Sequence, residues 1–188
     1  MTVSMLVALI VVGLAAVLFI FRTIPGIRAY FSFRGKRLVT CPETKKPEAV
    51  QVAAGEAALG AFLAEPTLRL VECSRWPERQ DCGQDCLQQI EIDPENCLVW
   101  NLVSQWYEGK NCVFCHHPIA AIRHSDHKPA LLGPDHMTME WKQFRPQDLP
   151  AAFESHQPVC WNCHVTETFR RTHPELVTDR RPDAKRMA

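Results

Sequence analysis

"NCVFCHHPI" (residues 111–119) and "PVCWNCHVT" (residues 158–166) carry the same pattern, Cys-x-x-Cys-His, twice within a chain of 188 residues. The pattern admits two chemistries. A Cys-x-x-Cys turn aims two thiolates at one metal ion, and a second such turn completes a tetrahedron. On that reading Cys112, Cys115, Cys160 and Cys163 are the expected ligands of one zinc ion. The same pattern is also the attachment signature of c-type haem, with the histidine as axial ligand. Under this alternative Cys112, Cys115 and His116 hold one haem, and Cys160, Cys163 and His164 hold a second. The first chemistry suits a reducing cytoplasm and the second an extracytoplasmic face, which makes the position of the body relative to a membrane part of the same question.

The N-terminal stretch Val3–Phe21, "VSMLVALIVVGLAAVLFIF", contains no charge. As a helix it reaches about 28 Å, close to the roughly 30 Å hydrocarbon core of a bilayer. No Lys or Arg precedes it and no small-residue cleavage site follows it. An uncleaved transmembrane anchor over residues 1–22 is therefore expected in preference to a signal peptide. Residues 23–37 read as a basic juxtamembrane linker. Over residues 22–37, Arg22, Arg28, Arg34, Lys36 and Arg37 occur without an acid, interleaved with Ile24, Ile27, Tyr30, Phe31 and Phe33. Such a segment suits anionic headgroups, and residues 3–37 are expected to contact membrane lipid. Cations retained on the cytoplasmic side of a span predict the N-terminus outside and the body in the cytoplasm. A haem-binding body would instead be periplasmic.

The body is acidic: residues 38–169 hold ten Lys and Arg against eighteen Asp and Glu. Nucleic-acid binding usually needs a basic face, and no nucleic-acid partner is expected. Nine cysteines in a reducing compartment read as metal ligands or thiols rather than disulfides. Outside the paired motifs, Cys41, Cys73, Cys82 and Cys86 form a possible second metal site. In helical form Cys82 and Cys86 would share one face. The alternative for these four is scattered buried thiols, since cysteine packs as a small hydrophobe. Cys97 remains as an odd residue, expected to pack.

The expected fold class is α+β: a single transmembrane helix followed by a small Cys-rich, metal-stabilised body. "LVTCPETKKPEAVQV" predicts two short strands around a turn, "AGEAALGAFLAE" a helix, and "LRLVEC" a strand ending on Cys73. "DPENCLVWNLVSQWYEG" predicts a helix capped by Asp93 and ended at Gly109. "PALL" and "MTMEWKQF", flanking "GPDH", predict a β-hairpin; "DLPAAFESH" and "VTETFRRTH" predict short helices. The expected organisation is an α+β module over 38–110, a paired-motif module over 111–175 and a disordered tail over 176–188.

The order CxxC, hairpin, CxxC, helix resembles a zinc-ribbon or treble-clef unit. Part of the same region also resembles the HNH-type nucleases: "CVFC", then "DHKP" (Asp126–Pro129), then "CWNCH" ending in His164. That resemblance implies His127 as general base and His164 as ligand of a catalytic metal, beside a structural zinc. The family's central Asn has no counterpart between His127 and Cys160. A closed shell of four thiolates leaves no open position for substrate and implies structure rather than catalysis. HExxH, P-loop and GxGxxG patterns are all missing from the sequence. The expected function is a membrane-anchored zinc module acting as scaffold or adaptor for a membrane-complex protein partner, with possible redox or metal sensing. The alternatives are a dihaem electron carrier and an HNH-like nuclease remnant.

Overall fold

A computed structural model of the chain describes residues 3–63, 65–79, 81–123 and 128–177. Among these residues the protein is mixed α and β, and it divides into two compact units. The first comprises the chain up to Leu102 together with Arg145–Gln147; the second comprises Val103–Phe144 and the chain from Asp148 onward.

The first unit opens with helix α1, Val3–Phe33. Its apolar segment Leu9–Phe33 is long and apolar enough to cross a membrane, a test that a signal sequence near an N-terminus also passes. Leu9, Leu14, Leu18, Phe19 and Phe21 are all exposed. The helix does not stop at residue 22. It runs on through Pro25 to Phe33, and the expected linker is largely helical. This lower half packs on α2, Ala54–Leu63. Gly26 makes the approach possible, since a Cβ there would lie 3.0 Å from the Ala58 carbonyl oxygen. Arg22 donates to the Leu63 carbonyl at 3.2 Å and ties off the end of α2.

Three antiparallel strands follow in the order β1 (Lys36–Thr40), β2 (Pro47–Val52) and β3 (Leu70–Cys73). Alternation along the strands puts Val39, Val50, Val52 and Leu70 on one buried face, covered by Cys86 and by Ile90 of α3 (Leu87–Ile92). Arg37 lies on that side as well, wholly buried, donating to the carbonyls of Pro94 and Ser32. A cation counted for the membrane surface thus serves as an internal clasp. Burial lowers the pKa of its guanidinium, with Cys97 and Glu95 opposing.

The helix expected from Asp93 begins six residues later. Helix α4 spans Val99–Tyr107. The cause is strand pairing: Leu38 N–H bonds the Cys97 carbonyl at 2.8 Å, and Leu98 bridges Arg37, which ties the end of the 94–97 turn to β1. Asp93 instead caps a turn, accepting from Asn96 N–H at 3.1 Å. Cys97 packs against the first core, as expected of it. Gly109 ends α4 with φ +70°, a conformation glycine adopts without cost.

In the second unit the hairpin forms as β4 (Ala130–Leu132) and β5 (Thr138–Glu140). A third strand, β6 (Gln157–Val159), pairs with the other edge of β4. Helix α5 (Leu149–Ser155) precedes β6, and α6 (Trp161–Thr172) follows it. Val103 and Tyr107 bury one turn apart on α4, while Trp106 stacks on Phe153 at 4.8 Å. Tyr107 donates its hydroxyl to the Ala130 carbonyl at 2.8 Å. The expected tail falls outside the described residues from 178 onward.

Candidate metal centre

Two backbone corners present the four paired cysteines. The first is a tight turn closed by an antiparallel bridge between Asn111 and Pro118. Within it Cys112 N–H bonds the His117 carbonyl and His116 N–H bonds the Cys112 carbonyl, each at 2.9 Å. The turn closes only if the residue after the second cysteine goes left-handed, and His116 does so with φ 59°. Its role is that of a corner residue. The second corner is the junction of β6 with α6. Cys160 lies just before the helix and Cys163 in its first turn. The helix starts four residues earlier, in the second motif, than "VTETFRRTH" suggested, and it carries Cys163 and His164 with it.

Strand β6 brings the corners together. It is an edge strand, which is why Pro158 is tolerated at its centre. The Pro158 carbonyl accepts from Val113 N–H at 3.0 Å and so stitches the first turn to the second. As a result the sulfurs of Cys112, Cys115, Cys160 and Cys163 all lie within 4.8 Å of one another, with Cys115 Sγ and Cys160 Sγ 3.7 Å apart. Four thiolates on a tetrahedral zinc, each about 2.3 Å from the ion, stand about 3.8 Å apart. Cys112 is wholly buried with Ala130 and Val159, and Val113, Ile119 and Leu132 pack around them.

The thiols do not share charge evenly. Burial resists ionisation of Cys112, but backbone N–H groups of Cys115, Cys160 and Phe114 outweigh it and bring the thiol down to about 6. Burial pushes Cys160 and Cys163 the other way, and at Cys163 the neighbouring thiols of Cys160, Cys115 and Cys112 add to it. One favoured thiolate holding its neighbours protonated is the electrostatic situation a soft divalent cation relieves, because the ion stabilises all four anions together. The all-sulfur donor set fits zinc or another thiophilic metal.

His164 is buried, and its Nδ1 lies 2.9 Å from Thr138 Oγ1 of β5. Burial lowers its pKa. His117 is exposed, with Nδ1 2.9 Å from the Cys115 carbonyl oxygen. His127, the base implied by the nuclease resemblance, and its neighbour Asp126 lie outside the described residues.

The second group of cysteines was expected to place Cys82 and Cys86 on one helical face. Residues 81–84 are instead a loop without regular structure, with Gln84 left-handed at φ 58°, and Cys86 immediately precedes α3. All four of these cysteines nevertheless line one cavity in the first unit. Comparison with protein-family models, with curated proteins and with solved structures finds no match to this chain.

Proposed function

We propose that this chain is a membrane-anchored protein whose body is organised by a structural zinc ion on Cys112, Cys115, Cys160 and Cys163, in a zinc-ribbon-like or treble-clef-like module. The carrying observation is the gathering of the four sulfurs at tetrahedral spacing. A metal bound this way supplies folding free energy on the order of 10 kcal/mol or more, which suits a unit with a core this small. With all four positions taken by protein, its task is to hold shape for a partner. We place the body on the cytoplasmic face, by the cations that follow the span, as a scaffold or adaptor for a membrane complex. The partly buried thiolates of Cys115, Cys160 and Cys163 at such a centre would also respond to oxidants or competing metals.

The single ion is favoured over two haems by the same geometry. Each haem would need its own Cys-x-x-Cys facing its own macrocycle, whereas here both pairs face one point.

The test is metal analysis and absorption spectroscopy of the full-length protein purified from membranes. Zinc in the preparation, lost in a Cys112→Ser/Cys160→Ser variant, is the expected result. A Soret band that survives acid-acetone extraction would overturn the zinc reading. A C-terminal topology reporter active only outside the cytoplasm would overturn the orientation.

A further inference from the structure

The first unit contains a second cradle of sulfur. Cys41 continues the buried face of β1 two residues beyond Val39, and Cys73 pairs with Val50 on the same face of the sheet. Strands β1 and β3 both run antiparallel to β2, which brings their C-terminal ends, and these two cysteines, to one end of the sheet. The loop that carries Cys82 and Cys86 lies over the buried face of the sheet. It is fastened at both edges. Gln84, with φ 58°, accepts from Leu70 N–H of β3 at 3.0 Å. Gln89 of α3 exchanges two hydrogen bonds with the backbone of Thr40 in β1, at 2.9 and 2.7 Å. The loop is thereby held where Cys82 and Cys86 line one cavity together with Cys41 and Cys73.

The walls of this cavity mix charges, with Arg75 and Arg79 standing among Glu43, Glu48 and Asp85 around the four sulfurs. Arg75 Nη1 lies 3.4 Å from Cys41 Sγ while also bonding Glu43 at 2.5 Å, and Arg79 stands beside it. Trp76 lines the same space, and its Nε1–H is buried without a hydrogen-bond partner. An indole N–H has a single donor and no acceptor, and a buried one without a partner calls for an acceptor nearby. A metal-bound thiolate or an inorganic sulfide is such an acceptor.

We propose that Cys41, Cys73, Cys82 and Cys86 form a second thiolate site for a soft metal centre, independent of the first. Its four sulfurs surround a cavity and are not drawn together like those of Cys112, Cys115, Cys160 and Cys163. A single zinc ion would pull these ligands inward, whereas a larger centre such as an iron–sulfur cluster would hold them further apart, and the two differ in the iron and sulfide they carry. Either occupant binds thiolates, and each ligating thiol gives up its proton to solvent.

The experiment uses the full-length protein, purified without oxygen, and reads zinc, iron and acid-labile sulfide per chain. Wild type should carry two centres. Cys82→Ser/Cys86→Ser should lose one and keep the other; Cys112→Ser/Cys160→Ser should show the reverse loss. Zinc lost from the first variant identifies a mononuclear site, whereas iron and sulfide lost with a visible absorption band identify a cluster. One centre in wild type, unaffected by Cys82→Ser/Cys86→Ser, would overturn the proposal and leave the first zinc site standing. Alkylation of wild type guards against a variant that misfolds: Cys41, Cys73, Cys82 and Cys86 should resist a maleimide until a chelator is added. Their recovery as disulfides, or as freely reactive thiols without chelator, would also overturn it.

Discussion

Cys115 and Cys160, 45 residues apart in the chain, bring their sulfurs to 3.7 Å. No regular element spans that distance in sequence. Contact depends on the turn at 111–118, the edge strand β6 and the start of α6 arriving together. A metal ion held there would couple these parts, because the turn and the start of α6 would supply ligands that the unfolded chain cannot offer in one place, with β6 joining them. Cys160→Ser is therefore expected to release the metal and to unfold the second unit. Hydrogen exchange should show loss of protection over β4–β6 and α6 while the first sheet stays protected. Retained metal and unchanged protection in this variant would contradict the assignment.

Tyr107 is 1% exposed, and its hydroxyl donates to the Ala130 carbonyl at 2.8 Å. Ala130 is also the residue from which β4 pairs with both neighbours, facing Glu140 on one side and Val159 on the other. Tyr107→Phe preserves the packing and removes one buried hydrogen bond. The expected loss is about 1 kcal/mol in denaturant unfolding, with metal content unchanged. A loss several times larger would show that the hydroxyl has a further partner in the fold.

Arg37 clasps the Pro94 and Ser32 carbonyls from inside the first unit. Arg37→Ala leaves both oxygens without that donor and opens space in the core, at an expected cost of about 2–4 kcal/mol. Arg37→Lys should recover little of it, since an ammonium on a flexible stem does not reproduce a planar fork reaching two acceptors. Equilibrium unfolding of the two variants against wild type is the measurement. Full rescue by lysine would mean that charge, not fork geometry, is what the site uses.

Arg37 also marks where sequence reading reaches its limit. Its position in a run of cations reads as surface, and only the pairing of β1 with 97–98 places it inside. The same pairing delayed α4 past Asp93, Pro94 and Cys97, although cap and pattern favoured an earlier start. Local signals carried further where local physics decides the outcome. The apolar run of α1, the strands around the Pro42–Pro47 turn and the β4–β5 hairpin follow from periodicity and turn residues. The Cys-x-x-Cys pairs converge as their spacing implied. What spacing could not convey was the agent of convergence, the three-residue strand β6, whose central proline argues against a strand in isolation. Nor did it foretell the loop over the first sheet, whose position is set by Gln84 and Gln89 reaching backbone groups far away in sequence.

Two glycines on α1 separate the exposed apolar part of that helix from the part packed on α2. A Cβ on Gly13 would meet nothing within 4 Å, whereas one on Gly26 would lie 3.0 Å from the Ala58 carbonyl oxygen and 3.6 Å from Phe62 Cβ. Gly13→Ala should be neutral or slightly stabilising, by up to about 1 kcal/mol, because alanine costs less chain entropy in a helix. Gly26→Val should push α2 away, with an overpacking cost of about 1–3 kcal/mol. The readout is amide exchange over Ala54–Leu63 in detergent-solubilised protein: faster in Gly26→Val, unchanged in Gly13→Ala. Equal protection in both variants would mean that α2 does not need close approach to α1. In that case the cap from Arg22 to Leu63, not helix contact, would be what holds α2 in place.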